Sequence, residues 1–346
     1  DIEADAGLDF CGLDAYPHAG GALNTVDQAR YLAASSKLAY FPEYGAGSWP
    51  FDFRVRDTHD QESTMLAPLM GGARGLNFYM LVERERWFGS PLDVHGKRHE
   101  ETATLFERFN TFLRESEWSK ATPLNQGLVL RSREGQLYEA VFDMPTSRAE
   151  RKALPYALRR ASESDLLPGA GGSPLASEAS AFYKASRAFC AQRHFSFAIA
   201  DSAASPERLA RHAFVLASLP GFMDEALARR LRSYVEGGGL LVLGPAWPRL
   251  NTRFEPLKAF EGLQPEPGKP LSVGDGKILW LKAFETNPVA GLLRKGKVFE
   301  DTGLSDPDLE LAAHRSAGRL LLFVRNPHAE ERRAMVLREG KFVLKP

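Results

Sequence analysis

The period of the apolar positions switches repeatedly along this chain, and each switch marks an element. Residues 7–16 (GLDFCGLDAY) read as a strand that Pro17 and a Gly-Gly turn bring to an end. Residues 25–36 have helical spacing, with Val26, Ala29, Tyr31, Leu32 and Ala33 making an apolar face. Residues 38–41 (LAYF) form a second short strand, stopped by Pro42. A helix follows from an Asp57 or Thr58 cap, with Pro68 as a kink or an early break. Residues 73–82 are a third strand, apolar almost throughout, as burial on both faces requires. Residues 99–118 are an amphipathic helix. Three strand–helix units in succession predict a parallel sheet or barrel, although closing such a barrel takes eight.

A second α/β block follows. Its strands are expected at 127–132, 195–201, 212–220 and 239–245, and its helices at 177–194 and 224–238, the latter ending on a glycine cap. This order predicts a small doubly wound sheet. Residues 144–176, rich in Pro, Ser, Gly and Arg, are expected to form a long surface loop or a partly mobile segment. From about residue 250 the pattern changes again. Residues 276–284, 318–327 and 332–346 read as antiparallel strands joined by Gly and Asn-Pro turns.

The 346 residues suffice for two or three domains. Forty-four Lys and Arg offset forty-four Asp and Glu, so no overall field points to nucleic acid or an anionic membrane as partner. No apolar run approaches the roughly 20 residues of a membrane span. Cys11 falls on a predicted strand and Cys190 on a predicted helix, with no CxxC or Cys/His cluster, so two buried thiols are expected and zinc is not. Neither GxxxxGK[ST] nor GxGxxG occurs after a strand, which argues against a phosphate-cradling loop.

The candidate chemistry sits at residues 38–53 (LAYFPEYGAGSWPFDF). A short buried strand delivers Glu43 to a Gly-rich turn with Trp49 behind it. Sugar cleavage needs such a carboxylate at the C-terminal mouth of a strand: the strand fixes the acid, the glycines admit substrate, and the indole covers the C–H face of the ring. The same residues also fit an ordinary strand–loop junction with an exposed Glu. The neighbouring strand ends favour the first reading. Tyr16, with Asp14 and His18 on the same rim, ends the preceding strand. Trp87 follows the third strand, after the charged run Glu83, Arg84, Glu85 and Arg86. Asn77 is expected to be a satisfied interior amide, and Asp5, Asp9, His95 and His99 do not form a metal set.

LDFCGLDAYPH, FPEYGAGSW and GGARGLNFYMLVERERWFGSPLDVHG, in this order and spacing, resemble the last three strands of the (β/α)8 barrel of bacterial β-galactosidases of glycoside hydrolase families 35 and 42. SYVEGGGLLVLGP resembles their glutamine-amidotransferase-like second domain, and the tail resembles the small β domain that follows. The resemblance implies an α/β fold in which residues 1–118 are the C-terminal part of a TIM barrel, 119–250 an amidotransferase-like α/β domain and 251–346 a small antiparallel β domain. It implies a retaining hydrolase of terminal β-galactosides or a related β-glycoside, with Glu43 as nucleophile and Tyr16 orienting it. Trp49, Trp87, His18, Glu85 and Arg86 would contact the sugar. No metal or cofactor enters such a mechanism.

The acid/base Glu of these enzymes lies on strand four, upstream of residue 1. The isolated chain is therefore expected to be inactive without the N-terminal half of the barrel, its implied partner beside the β-linked sugar and a possible second copy of the chain. The competing reading is a non-catalytic carbohydrate-binding protein derived from a hydrolase. Glutaminase chemistry is not expected, because residues 217–221 at the candidate elbow hold no Cys.

Overall fold

A computed structural model describes residues 7–17, 22–48, 56–137, 175–298, 302–326, 331–338 and 341–344. Residues 144–174 of the predicted loop lie outside them. The chain separates into two compact units, one of residues 1–125, 196–199 and 302–346, the other of 126–195 and 200–301.

The first unit begins with α1 (Ala22–Ser35), β1 (Tyr40–Gly45), α2 (Thr58–Gly71), β2 (Gly75–Tyr79), α3 (Glu100–Glu115) and the two-residue β3 (Thr122–Pro123). β1 and β2 run parallel, Tyr40 opposite Gly75 and Gly45 opposite Tyr79, with an irregularity between Phe41 and Tyr44. Pro42 does not stop the strand, as its sequence suggests, but sits inside it at this bulge, where a missing N–H is tolerated. The strand expected over 7–16 reduces to two parallel bridges, Gly12 to Tyr40 and Ala15 to Tyr44. The Pro42 ring wedges between them: a Cβ on Gly12 would come within 2.5 Å of its Cδ.

Asp57 caps α2, its Oδ1 accepting from Asp60 N at 2.8 Å. Pro68 lies within the helix, which continues to Gly71. A proline there cannot donate to the carbonyl of Thr64, four residues back, and that carbonyl accepts the buried Tyr44 hydroxyl instead. One side chain thus ties β1 to α2 and repairs the break. Phe78, Phe106, Phe109 and Trp118 pack with Met65 and Leu69 in the layer between strands and helices.

The elements that follow, all of the second unit except residues 197–199 of β5, are β4 (Gly127–Arg131), α4 (Leu175–Gln192), β5 (Phe197–Ala200), α5 (Pro206–Ala210), β6 (Phe214–Leu219), α6 (Glu225–Glu236), β7 (Leu240–Pro245), β8 (Pro270–Val273), β9 (Gly276–Trp280) and α7 (Thr286–Lys295). The sheet order is β5-β4-β6-β7-β9-β8. β4, β6, β7 and β9 pair in parallel, and β8 is antiparallel to β9. β9 was expected among the antiparallel strands of the tail. It joins the parallel sheet because its Ile278 and Leu279 are fully buried beside Leu241 and Val242 of β7.

The tail returns to the first unit as β10 (Thr302–Leu304), β11 (Glu310–Ser316), β12 (Arg319–Arg325), β13 (Val336–Arg338) and β14 (Lys341–Leu344), all antiparallel where paired. Ala317 and Gly318, both at positive φ, make the two-residue hairpin between β11 and β12. β11 also pairs with β3. Its buried His314 holds Nε2 3.1 Å from the Met70 carbonyl at the end of α2, between Trp118 and Phe323. Neither Cys11 nor Cys190 is in a disulfide; Cys190 is buried, as expected, whereas Cys11 is only partly so. Among the described residues no helix is long and apolar enough to cross a membrane.

Candidate active site

The C-terminal ends of the first unit's strands form one row. Ala15 N donates to Glu43 O and Gly45 N to Ala15 O, each at 2.9 Å, and Ala46 N donates to Tyr79 O at 2.8 Å. This ladder brings Tyr16, Glu43 and Tyr79 to the same edge. Glu43 sits at the β1 bulge and is half-buried. Asn77, in β2, donates Nδ2 to Pro42 O at 3.0 Å and so holds the bulge from the other side. It is exposed, not interior as expected, because the open face of β2 is uncovered here.

The Tyr16 hydroxyl donates to Glu43 Oε2. Partial burial, followed by the hydrogen bond and negative charge of Glu43 and the charge of Asp14, raises the Tyr16 pKa above the usual phenol range. The phenol therefore stays protonated and remains a donor to the carboxylate. Its ring meets Tyr79 and Trp87 edge to face, at 6.1 and 6.2 Å.

Trp87 is not the open platform that its position suggested. It is only 2% exposed, and its indole N–H is spent on the Ala46 carbonyl at 2.5 Å. It is a wall that backs Tyr16 and Tyr79. Glu85 and Arg86 form the exposed tip of a tight turn closed by an Arg84–Trp87 bridge, with Arg86 at φ 68°. The turn instead directs their neighbours. Arg84 bonds the Tyr79 hydroxyl and lies 5.2 Å over its ring. Glu83 accepts from Gly89 N at 2.7 Å and lies 3.4 Å from His99 Nε2. His18 and Trp49 lie outside the described residues.

Sequence reasoning missed Arg56. It is buried, and its guanidinium bonds the carbonyls of Gly45 and Gly47 and the Thr64 hydroxyl. Its backbone N–H donates to Ser48 Oγ at 3.0 Å. One side chain thus clamps the turn that follows Glu43. No local motif announces such a role, since the clamped carbonyls are main-chain atoms nine and eleven residues away.

A family model described as the GLMA-like second domain matches residues 178–262. No curated protein matches the chain by sequence. A GH42 β-galactosidase from G. stearothermophilus, solved as a catalytic mutant, superposes with a TM-score of 0.66 at 11% identity, over 99% of this chain and 58% of that one. The β-galactosidase from Rahnella sp. R3 gives 0.67 at 13% identity, over 99% and 61%. A GH42 exo-carrageenase from Bacteroides ovatus gives 0.53 at 8% identity, over 95% and 42%. The chain thus spans well under two thirds of the length of these structures. It is a mixed α/β protein with the fold of part of a GH42 β-galactosidase, GLMA-like second domain included.

Proposed function

We propose that residues 1–118 are the last three βα units of a (β/α)8 barrel and that this chain is part of a retaining hydrolase of terminal β-galactosides. Glu43 is its nucleophile. The supporting observation is the Tyr16 hydroxyl on the Glu43 carboxylate at the shared mouth of parallel strands. A protonated phenol there keeps one carboxylate oxygen engaged and aims the other.

In the first step a Glu43 oxygen attacks the anomeric carbon while the bond to the leaving oxygen breaks. A second carboxyl, about 5–5.5 Å away, protonates that oxygen. It then takes a proton from water, which displaces Glu43 and restores the anomeric configuration. We assign the second carboxyl to barrel strands that these 346 residues do not include. Tyr79 and Arg84 complete the wall of the sugar site, with His18 and Trp49 as further contacts. The α/β unit serves as scaffold and as a contact between copies.

The test is Glu43→Gln in a polypeptide that also carries the remaining barrel strands, assayed on nitrophenyl β-galactoside. Turnover should vanish while the melting temperature holds. Full activity in that variant overturns the proposal. A wild-type protein that binds galactose without cleaving it would favour a sugar-binding descendant of such an enzyme.

A further inference from the structure

The second unit has a hollow of about 540 Å³ at the C-terminal ends of β7 and β9. That volume falls within the range of about 300–1,000 Å³ typical of small-ligand sites. Three aromatic rings surround it. Trp247 follows β7, Trp280 ends β9, and Phe260 comes from the loop between β7 and β8. Trp247 lies 5.2 Å from Phe260 at an interplanar angle of 33°, and 6.2 Å from Trp280 at 57°. Both indoles are only half-buried. Rings of this size normally fill the space beside them, yet here they border an opening.

The walls are fixed. Trp280 Nε1 donates to Pro245 O at 3.0 Å. Arg232 of α6 donates to Ala259 O at 2.8 Å, and Glu225 of α6 accepts from Ala259 N at 2.9 Å. Leu257 N donates to Arg249 O at 2.9 Å. Pro248 and Pro256 restrict the same loop. A site held this way loses little ordering entropy when it binds.

We propose that this hollow is a non-catalytic binding site for a neutral pyranose unit of a glycan. Trp247 is parallel to neither of its neighbours, so these rings cannot sandwich a planar nucleobase between two faces. Exposed Arg249 and Lys258 on the rim would repel a quaternary ammonium, the usual guest of an aromatic cage. A pyranose has one C–H face that packs on an indole, while its hydroxyls point outward around the perimeter. Arg249, Lys258 and Glu261 supply donors and an acceptor at that perimeter. The inference stands apart from Glu43, since all these residues belong to the second unit.

The test is calorimetry and tryptophan fluorescence on the intact chain, titrated with galactose, a β-linked galactobiose, adenosine monophosphate and choline. Binding of a sugar with a change in fluorescence is expected. Trp247→Ala should weaken it about tenfold and Lys258→Ala by less, both with an unchanged melting temperature, while Glu43→Gln leaves it intact. Sugar binding that survives Trp247→Ala in a folded protein overturns the proposal. So does tighter binding of the nucleotide or of choline, or a Trp247→Ala variant that changes only the oligomeric state. Loss of the folded state in Trp247→Ala passes the decision to Lys258→Ala and Trp247→Phe, and unchanged affinity in both overturns it equally.

Discussion

The two units each end parallel strands at a C-terminal edge, and the side chains at those edges are used in opposite ways. In the first unit Glu43 keeps an open side, with Tyr16 as its donor and a half-exposed aromatic corner beside it. In the second, the comparable strand ends carry hydroxyls whose protons are already committed. Ser218, at the end of β6, is buried and donates to Ala179 O. Ser132, after β4, and Ser202, after β5, both donate to Glu134. Strand topology provides a mouth in both cases. A reactive group also needs a lone pair or proton that the fold has not already used, and space for a substrate to approach.

The largest expected effect tests the first half of this contrast. Glu43→Gln, in a polypeptide with a complete barrel, should lower kcat by about 10⁴-fold or more, as loss of a covalent nucleophile does. Tyr16→Phe removes only the donor that aims it. It should cost about 100-fold in kcat with little change in KM, measured by steady-state kinetics. A large rise in KM with normal kcat would instead make Tyr16 a ground-state sugar contact.

The scaffold behind this edge has its own pH dependence. Burial, opposed by the bond to Met70 O and reinforced by nearby Arg30, lowers the His314 pKa from the ordinary 6.5 to about 4. The folded state therefore holds the neutral imidazole. As pH falls below 6.5 the unfolded chain takes up a proton that the folded chain refuses, so stability drops until about pH 4. The loss is on the order of 3 kcal/mol. Urea unfolding at pH 7 and pH 4 should show it, and His314→Leu should reduce it. The smallest effect sharpens the other half of the comparison. Ser218→Ala should cost about 1 kcal/mol of stability, the worth of one buried hydrogen bond, and leave hydrolysis unchanged. A loss of turnover there would mean that the second edge is chemically active.

Tyr16 and Glu43 could be placed near one another because Pro17 and the glycines that follow each segment punctuate the chain, but the bulge that keeps Pro42 and Glu43 inside β1 was not legible. The alternation of strands and helices was equally plain in 25–115 and 195–245, where apolar spacing is regular. Glu85 and Arg86 illustrate the limit. A run of four charges does not say which two occupy the tip of a turn, and that depends on the pairing of Arg84 with Trp87. The burial of Trp87 was also hidden, since the residues that meet its indole, among them Tyr16, Ala46 and Gly47, lie far away in the chain. β9 was misplaced for a related reason: an apolar strand reads alike in a terminal hairpin and inside a parallel sheet.

Periodicity and punctuation in the amino-acid sequence alone located most of the strands and helices and put Glu43 beside a Gly-rich turn, because those signals act over one or two turns of chain. The tertiary structure decided that Tyr16 donates to Glu43, that Arg56 clamps the turn behind it and that Tyr44 satisfies the carbonyl orphaned by Pro68. Each of those contacts joins residues eleven to twenty-seven positions apart, and a hydrogen bond at that separation forms only once packing has fixed both partners in space.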